Sequence, residues 1–172
     1  MDAVIPIGAK VPSFQLPDLE GNLVSLKDFR GSIVVLNFWS SECSWCERVD
    51  RELVGYSAKW NDGVKILWIA SNAHETRDMA KKVAIDREIP IVLLDAQEKV
   101  ANIYGVQTTP HFFLVDRQGN LAYQGAWDDI TFRQRVASQH YMTQAIRALM
   151  NGEHPDITQT KAYGCTLVRF TE

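Results

Sequence analysis

Residues 38–49 read Phe-Trp-Ser-Ser-Glu-Cys-Ser-Trp-Cys-Glu-Arg-Val, and the rest of the chain is best placed relative to their two cysteines, Cys43 and Cys46. Just upstream, residues 33–39 (IVVLNFW) are β-branched and nearly all apolar, the pattern of a strand covered on both faces. Downstream, Val49, Leu53, Tyr56 and Trp60 recur at intervals of three and four, which predicts a helix over 44–60. The cysteines therefore fall where a buried strand hands over to a helix. Unpaired N–H groups and the helix dipole at that point stabilise a thiolate on Cys43. Cys46, one turn further in, is close enough to close a small disulfide ring yet shielded from solvent. An exposed Cys43 thiolate would attack a target disulfide, and Cys46 would resolve the mixed disulfide. A metal reading competes, because a CxxC can be half of a zinc site. Zinc usually takes four ligands, however, and no second CxxC or clustered His pair is present. Cys165 with one of His74, His111, His140 or His154 would have to complete the set.

Other elements can be laid out around this pair. Residues 8–30 read as a short hairpin, with Glu20-Gly21-Asn22 supplying the bend. Residues 64–71 (VKILWIAS) form a second buried strand, and 76–88 a polar-faced helix with Met79 and Val83, and beside them Ala80 and Ala84, turned inward. A short strand over 91–94 and a short helix over 98–104 follow. Residues 111–116 and 121–126 pair as a hairpin around Arg117-Gln118-Gly119-Asn120. The spacing then predicts a last helix from about 132 to 150, with Trp127-Asp128-Asp129 as its turn and N-cap. The tail ends in the strand-like CTLVRF. Alternating strands and helices, closed by a hairpin and a helix, predict an α/β fold with a mixed central sheet. No internal repeat or low-complexity segment interrupts it, so residues 1–172 read as a single domain. Within it, 1–30 form an N-terminal hairpin extension and 153–172 a C-terminal tail.

The 172 residues are 46% hydrophobic and 23% charged, enough to bury a core without staples. Eighteen Lys+Arg against 21 Asp+Glu give a net charge of -3. That argues against nucleic-acid or anionic-membrane binding by bulk charge. The longest apolar run, residues 66–70, stops at Ser71, so no membrane insertion is expected. Residues 1–19 lack the features of a signal peptide, which implies the cytoplasm, or export if a signal has been removed. Three cysteines exclude a fully paired intrachain scaffold. The favoured reading of Cys165 is a small buried hydrophobe in a terminal strand; a third redox thiol and an intermolecular cross-link are the alternatives.

A second constellation is Thr108-Thr109-Pro110, directly before HFFLVD. Pro110 reads either as a strand-initiating residue or as half of a cis peptide that offers the Thr109 backbone to an extended target. Spacing alone does not choose.

Together, the strand ending in Phe38-Trp39, the CxxC-headed helix and the Thr-Pro before an apolar hairpin resemble the thioredoxin superfamily. PSFQLPDLEGNLVSLKDFRG (12–31), the extra helix and strand at about 75–94, and the ending YGCTLVRF are similar to its TlpA/ResA-like and AhpC/TSA-type, peroxiredoxin-like, redoxin branch. The resemblance implies a thioredoxin-like fold with an N-terminal hairpin and an extra helix–strand insertion. It implies a thiol–disulfide oxidoreductase with Cys43 as nucleophile, Cys46 as resolving thiol and Pro110 as a cis-proline. Trp45, Thr109 and Pro110 would form the substrate-facing wall. No separate cofactor is needed, because the electrons reside in the cysteines. The expected partners are protein dithiols or disulfides and an upstream reductant, and the chain is expected to act as a monomer.

The sequence also departs from the thioredoxin pattern. Asn37 stands six residues before Cys43, where many thioredoxins carry a buried Asp, so the proton acceptor for Cys46 is unassigned. Ser-Trp replaces the Gly-Pro of thioredoxins and the Pro-His of strong oxidants. Glu42 and Glu47 flank the pair; their charge should raise the Cys43 thiol and favour a reductant. A peroxidase of peroxiredoxin-like type is the alternative. Ser40 matches the hydroxyl of its peroxide-binding loop, but Leu36 stands where that loop has proline.

Overall fold

Strand periodicity explains how the sheet is covered. The computed structural model describes residues 5–60 and 63–171. In β3 (Ile33–Trp39), Ile33, Val35 and Trp39 point to one face, and Val34, Leu36 and Phe38 to the other. All seven residues are buried, so both faces need a covering layer. β3 pairs in parallel with β4 (Val64–Ala70), and β4 in parallel with β5 (Val92–Leu94). On its other side β3 pairs antiparallel with β7 (His111–Val115), which forms a hairpin with β8 (Leu121–Gly125). The result is a mixed five-stranded sheet in the order β5-β4-β3-β7-β8.

Helices α1 (Ser44–Lys59), α2 (Arg77–Asp86) and α4 (Tyr141–Met150) contribute to the core on the Ile33 face. Helix α3 (Lys99–Ile103) joins the opposite core, together with the N-terminal pair β1 (Gln15–Pro17) and β2 (Leu23–Ser25). This is the thioredoxin-like architecture, with the expected hairpin and helix–strand insertion. A further two-residue strand, β6 (Thr108–Thr109), precedes β7 and pairs antiparallel with β9 (Cys165–Thr166) near the chain end. No helix among the described residues is long and apolar enough to cross a membrane.

Helix α2 turns inward the residues expected of it: Ala80 and Ala84 are buried, Met79 and Val83 half-buried. One local expectation needs correction. Residues 132–140 are not helical, and α4 begins at Tyr141 with His140, not Asp128 or Asp129, at its N-cap. Phe132 and Val136 sit four apart, as on a helix, but both are exposed and gain no burial that would hold one. Local polar bonds win there: the Thr131 hydroxyl accepts from the Arg133 and Gln134 N–H groups, and the Asp129 carboxylate accepts from Ser138 N–H. Asp128 accepts two bonds from the Arg48 guanidinium, at 2.8 and 2.9 Å.

Candidate active site

Cys43 caps the N-terminus of α1. Its sulfur accepts the Cys46 N–H at 3.4 Å, satisfying one of the helix's unpaired donors. The same sulfur lies 3.3 Å from the carbonyl oxygen of Thr109 and 2.9 Å from the sulfur of Cys165. The Thr109–Pro110 peptide is cis. The fold thus brings Cys43, Cys46, Thr109 and Pro110 to one place, and adds Cys165.

These surroundings make the two CxxC thiols unequal. The Cys43 thiol is lowered to about 5, first by the hydrogen bond from the Cys46 side chain, against the cost of burial. Bonds from Cys165 and from the Cys46 backbone lower it further. Burial pushes the Cys46 thiol well above its ordinary range, helped by the negative charges of Cys43 and Asp50. The expected rise at Cys43 from Glu42 and Glu47 is therefore overturned. Glu42 is exposed, Glu47 is half-exposed, and neighbouring donors outweigh them.

A second expectation also fails: Cys43 is not exposed. Only 2% of it is accessible, because the chain's own β9 lies against the edge where a target was expected. Trp45 is half-buried and meets the Tyr163 ring edge-on at 4.9 Å between centroids, so the tail covers part of that surface too. Cys165 is partly buried against the Ile33-face core, as a packed residue would be, and is also in contact with Cys43.

Asp50 and Arg87 escaped the sequence reading. The Asp50 carboxylate is fully buried and accepts from the indole N–H groups of Trp39 at 2.8 Å and Trp68 at 3.0 Å, and from Arg87 at 2.9 Å. Burial raises its pKa despite those three donors. A signal was available: Asp50 lies four residues after Cys46 on the α1 face that also buries Val49 and Leu53. Asn37, where the resemblance expects a carboxylate, is fully buried, and its side-chain N and O have no partner among the described residues.

Ser40 does not stand free for a peroxide. Its hydroxyl oxygen accepts from the Asn72 amide at 2.7 Å and from Glu42 N–H at 3.2 Å. Burial lowers the His111 imidazole to about 4, so it is neutral near pH 7. Among the described residues, no group of three or more His, Cys, Asp or Glu side chains is placed to hold a metal ion.

Comparison with known proteins agrees with this class of fold and site. The AhpC/TSA family matches residues 7–124. The chain is 39% identical over 122 residues to the thiol-disulfide oxidoreductase ResA of Geobacillus thermodenitrificans (strain NG80-2), covering 68% of this chain and 67% of that protein. The solved thioredoxin domain of a thiol-disulfide oxidoreductase from Bacteroides vulgatus superposes with a TM-score of 0.63 at 26% identity, covering 76% of this chain and 93% of that one. A hypothetical protein of Sinorhizobium meliloti 1021 reaches a TM-score of 0.90 at 27% identity over 99% of this chain and 98% of its own. The chain belongs to the AhpC/TSA family, in its TlpA/ResA-like thioredoxin-fold branch. It is a thiol–disulfide oxidoreductase.

Proposed function

We propose that Cys43 and Cys46 are the catalytic pair, acting on protein disulfides, with Trp45, Thr109 and Pro110 as the wall against which the target lies. The inequality of the two thiols carries this reading: Cys43 is a thiolate at neutral pH, while Cys46 stays protonated in the core. Cys43 attacks one sulfur of the target, forming a mixed disulfide and releasing the other target sulfur as a thiolate. Cys46 then attacks Cys43, expels the second target thiolate and leaves a Cys43–Cys46 disulfide. The target gains two electrons, and an upstream dithiol returns them to the pair. Asp50, whose charge reaches Cys46 and whose carboxyl is raised by burial above its ordinary value, serves as the proton acceptor.

The stabilised Cys43 thiolate speeds attack on a target disulfide, but the flanking glutamates no longer support a strongly reducing pair. The same stabilisation favours the dithiol form. The pair should therefore be less reducing than thioredoxin, whose attacking thiol has a pKa of about 7. Residues 1–172 act as one monomeric unit, with 1–30 and 153–172 as its extensions. Reduction of a disulfide-bonded protein, driven by excess dithiol, tests the assignment. Cys43→Ser should abolish turnover above background, and wild-type turnover in that variant would overturn the reading.

A further inference from the structure

The position of the tail raises a question that the Cys43–Cys46 cycle leaves open. β9 pairs with Thr108 and Thr109 in a regular antiparallel register, placing Cys165 opposite Thr109. An extended target adding to this edge would need the same backbone groups. β9 therefore lies where a target strand would lie, with a cysteine beside the nucleophile. Gly164 permits the fit: a Cβ there would stand 1.9 Å from the Thr109 carbonyl oxygen, so a larger residue would push the strand away.

The segment is held on both sides of Cys165. On one side, the Tyr163 hydroxyl accepts Phe132 N–H at 3.1 Å. On the other, Leu167 is buried and its N–H donates to Gln107 at 2.9 Å. Val168 exchanges backbone bonds with the loop after β4: its N–H donates to the Asn72 side chain and its carbonyl accepts Ala73 N–H, both at 2.9 Å. Asn72 also donates to Ser40, so the tail is tied to the loop that precedes Cys43.

We propose that Cys165 is a third redox-active thiol, carried on a tethered strand that competes with the target for the β6 edge and gives the Cys43 mixed disulfide a second resolving route beside direct attack by Cys46. The proposal rests on Cys43 being the nucleophile. When a target forms its disulfide with Cys43, β9 must leave the edge. As β9 returns, the Cys165 thiol loses its proton and attacks the Cys43 sulfur. A Cys43–Cys165 bond forms, the Cys43–target bond breaks, and the departing target thiolate takes up a proton. The target disulfide is the oxidant throughout and gains two electrons. Cys46 then attacks Cys43, giving the Cys43–Cys46 disulfide and restoring Cys165 as a thiol with no net oxidation. Burial first, then the bond to Cys43 and its thiolate charge, raise the Cys165 thiol to about 11, and the two contributions of Cys43 are absent while it is held in a disulfide. Attack is thus favoured at the stage that needs it.

The test uses full-length Cys46→Ser and Cys46→Ser/Cys165→Ser, each reduced and then given one equivalent of a disulfide-bonded peptide. Mass spectrometry follows the adduct. The double variant should hold the peptide as a stable mixed disulfide at Cys43. Cys46→Ser should release it and end as an intrachain Cys43–Cys165 disulfide, its adduct decaying about a hundredfold faster, as expected for an intramolecular thiol. Gly164→Ala in the Cys46→Ser background keeps Cys165 but displaces its strand, and should lengthen the adduct's life towards that of the double variant. If Cys46→Ser keeps its peptide with Cys165 still alkylatable, the proposal is overturned while the role of Cys43 stands. If the double variant takes up no peptide, the assignment of Cys43 itself falls, and this proposal with it.

Discussion

The strands beneath the site and the tail above it are held by different forces. β3, β4 and β7 bring Trp39, Trp68, Phe112 and Phe113 into the core at or near zero exposure. The tail from Tyr163 to Phe170 contributes one buried apolar side chain, Leu167, and is otherwise held by the two-residue β6–β9 pairing, the Tyr163–Trp45 ring contact, the Arg169–Glu98 ion pair and separate hydrogen bonds at its margins. Segments with few buried apolar contacts open at lower free energy than the global unfolding. A rigid floor fixes the sulfur of Cys43 against the helix end and Thr109. A weaker cover can leave without disturbing that geometry. Reactivity in this molecule requires both, because a nucleophile with 2% exposure meets a protein target only after its cover moves.

Mutations on the two sides should separate these roles. Phe112→Ala, in the floor, should cost about 3–5 kcal/mol in denaturant unfolding. Leu167→Ala, in the cover, should fall near the low end of the range for buried leucines, about 2 kcal/mol, while speeding access of a thiol reagent to Cys43. Equal costs, with no gain in access, would erase the distinction. Asp50→Ala should be nearly as damaging as the floor mutation, at roughly 3–5 kcal/mol, because it leaves two buried indole N–H groups unpaired and takes from Arg87 its closest anion, leaving Glu47 at 3.8 Å. Asp50→Asn should lower the Cys46 pKa by removing a nearby negative charge, and it should slow resolution if the carboxylate takes the proton. Hydrogen exchange gives the mildest contrast. The Leu167 and Val168 amides should exchange by local opening well before those of Val35 and Leu36.

What the sequence disclosed follows the same division. β3, β4 and the β7–β8 hairpin were legible because burial on the sheet imposes local patterns that short windows reveal. The CxxC position was legible because a strand-to-helix junction is also local. The stretch 132–140 was misread, since Phe132 and Val136 carry helical spacing without any face to bury. Cys165 could not be placed from its neighbours: its contact with Cys43 spans 122 positions and exists only once β9 finds β6. The acidity of Cys43 was misjudged for a related reason. Flanking glutamates are visible in the sequence, whereas the donors that outweigh them arrive through folding. Asp50 lay between these cases, marked by an acid on an apolar helical face but not by its distant partners Trp68 and Arg87.

The charge state of Cys43 also sets a pH dependence. Its folded thiol lies below the ordinary value of 9.0, so it stabilises the reduced fold above that value, and the contribution is lost as pH falls through about 5. Reduced wild-type protein should therefore lose stability relative to Cys43→Ser as pH is lowered across that window. The decisive experiment is the thiolate titration itself, read as the ultraviolet difference between the reduced protein and reduced Cys43→Ser. A transition with its midpoint at about 5 is expected. A midpoint near the ordinary value of 9.0 would contradict the assignment of Cys43 as the ready nucleophile.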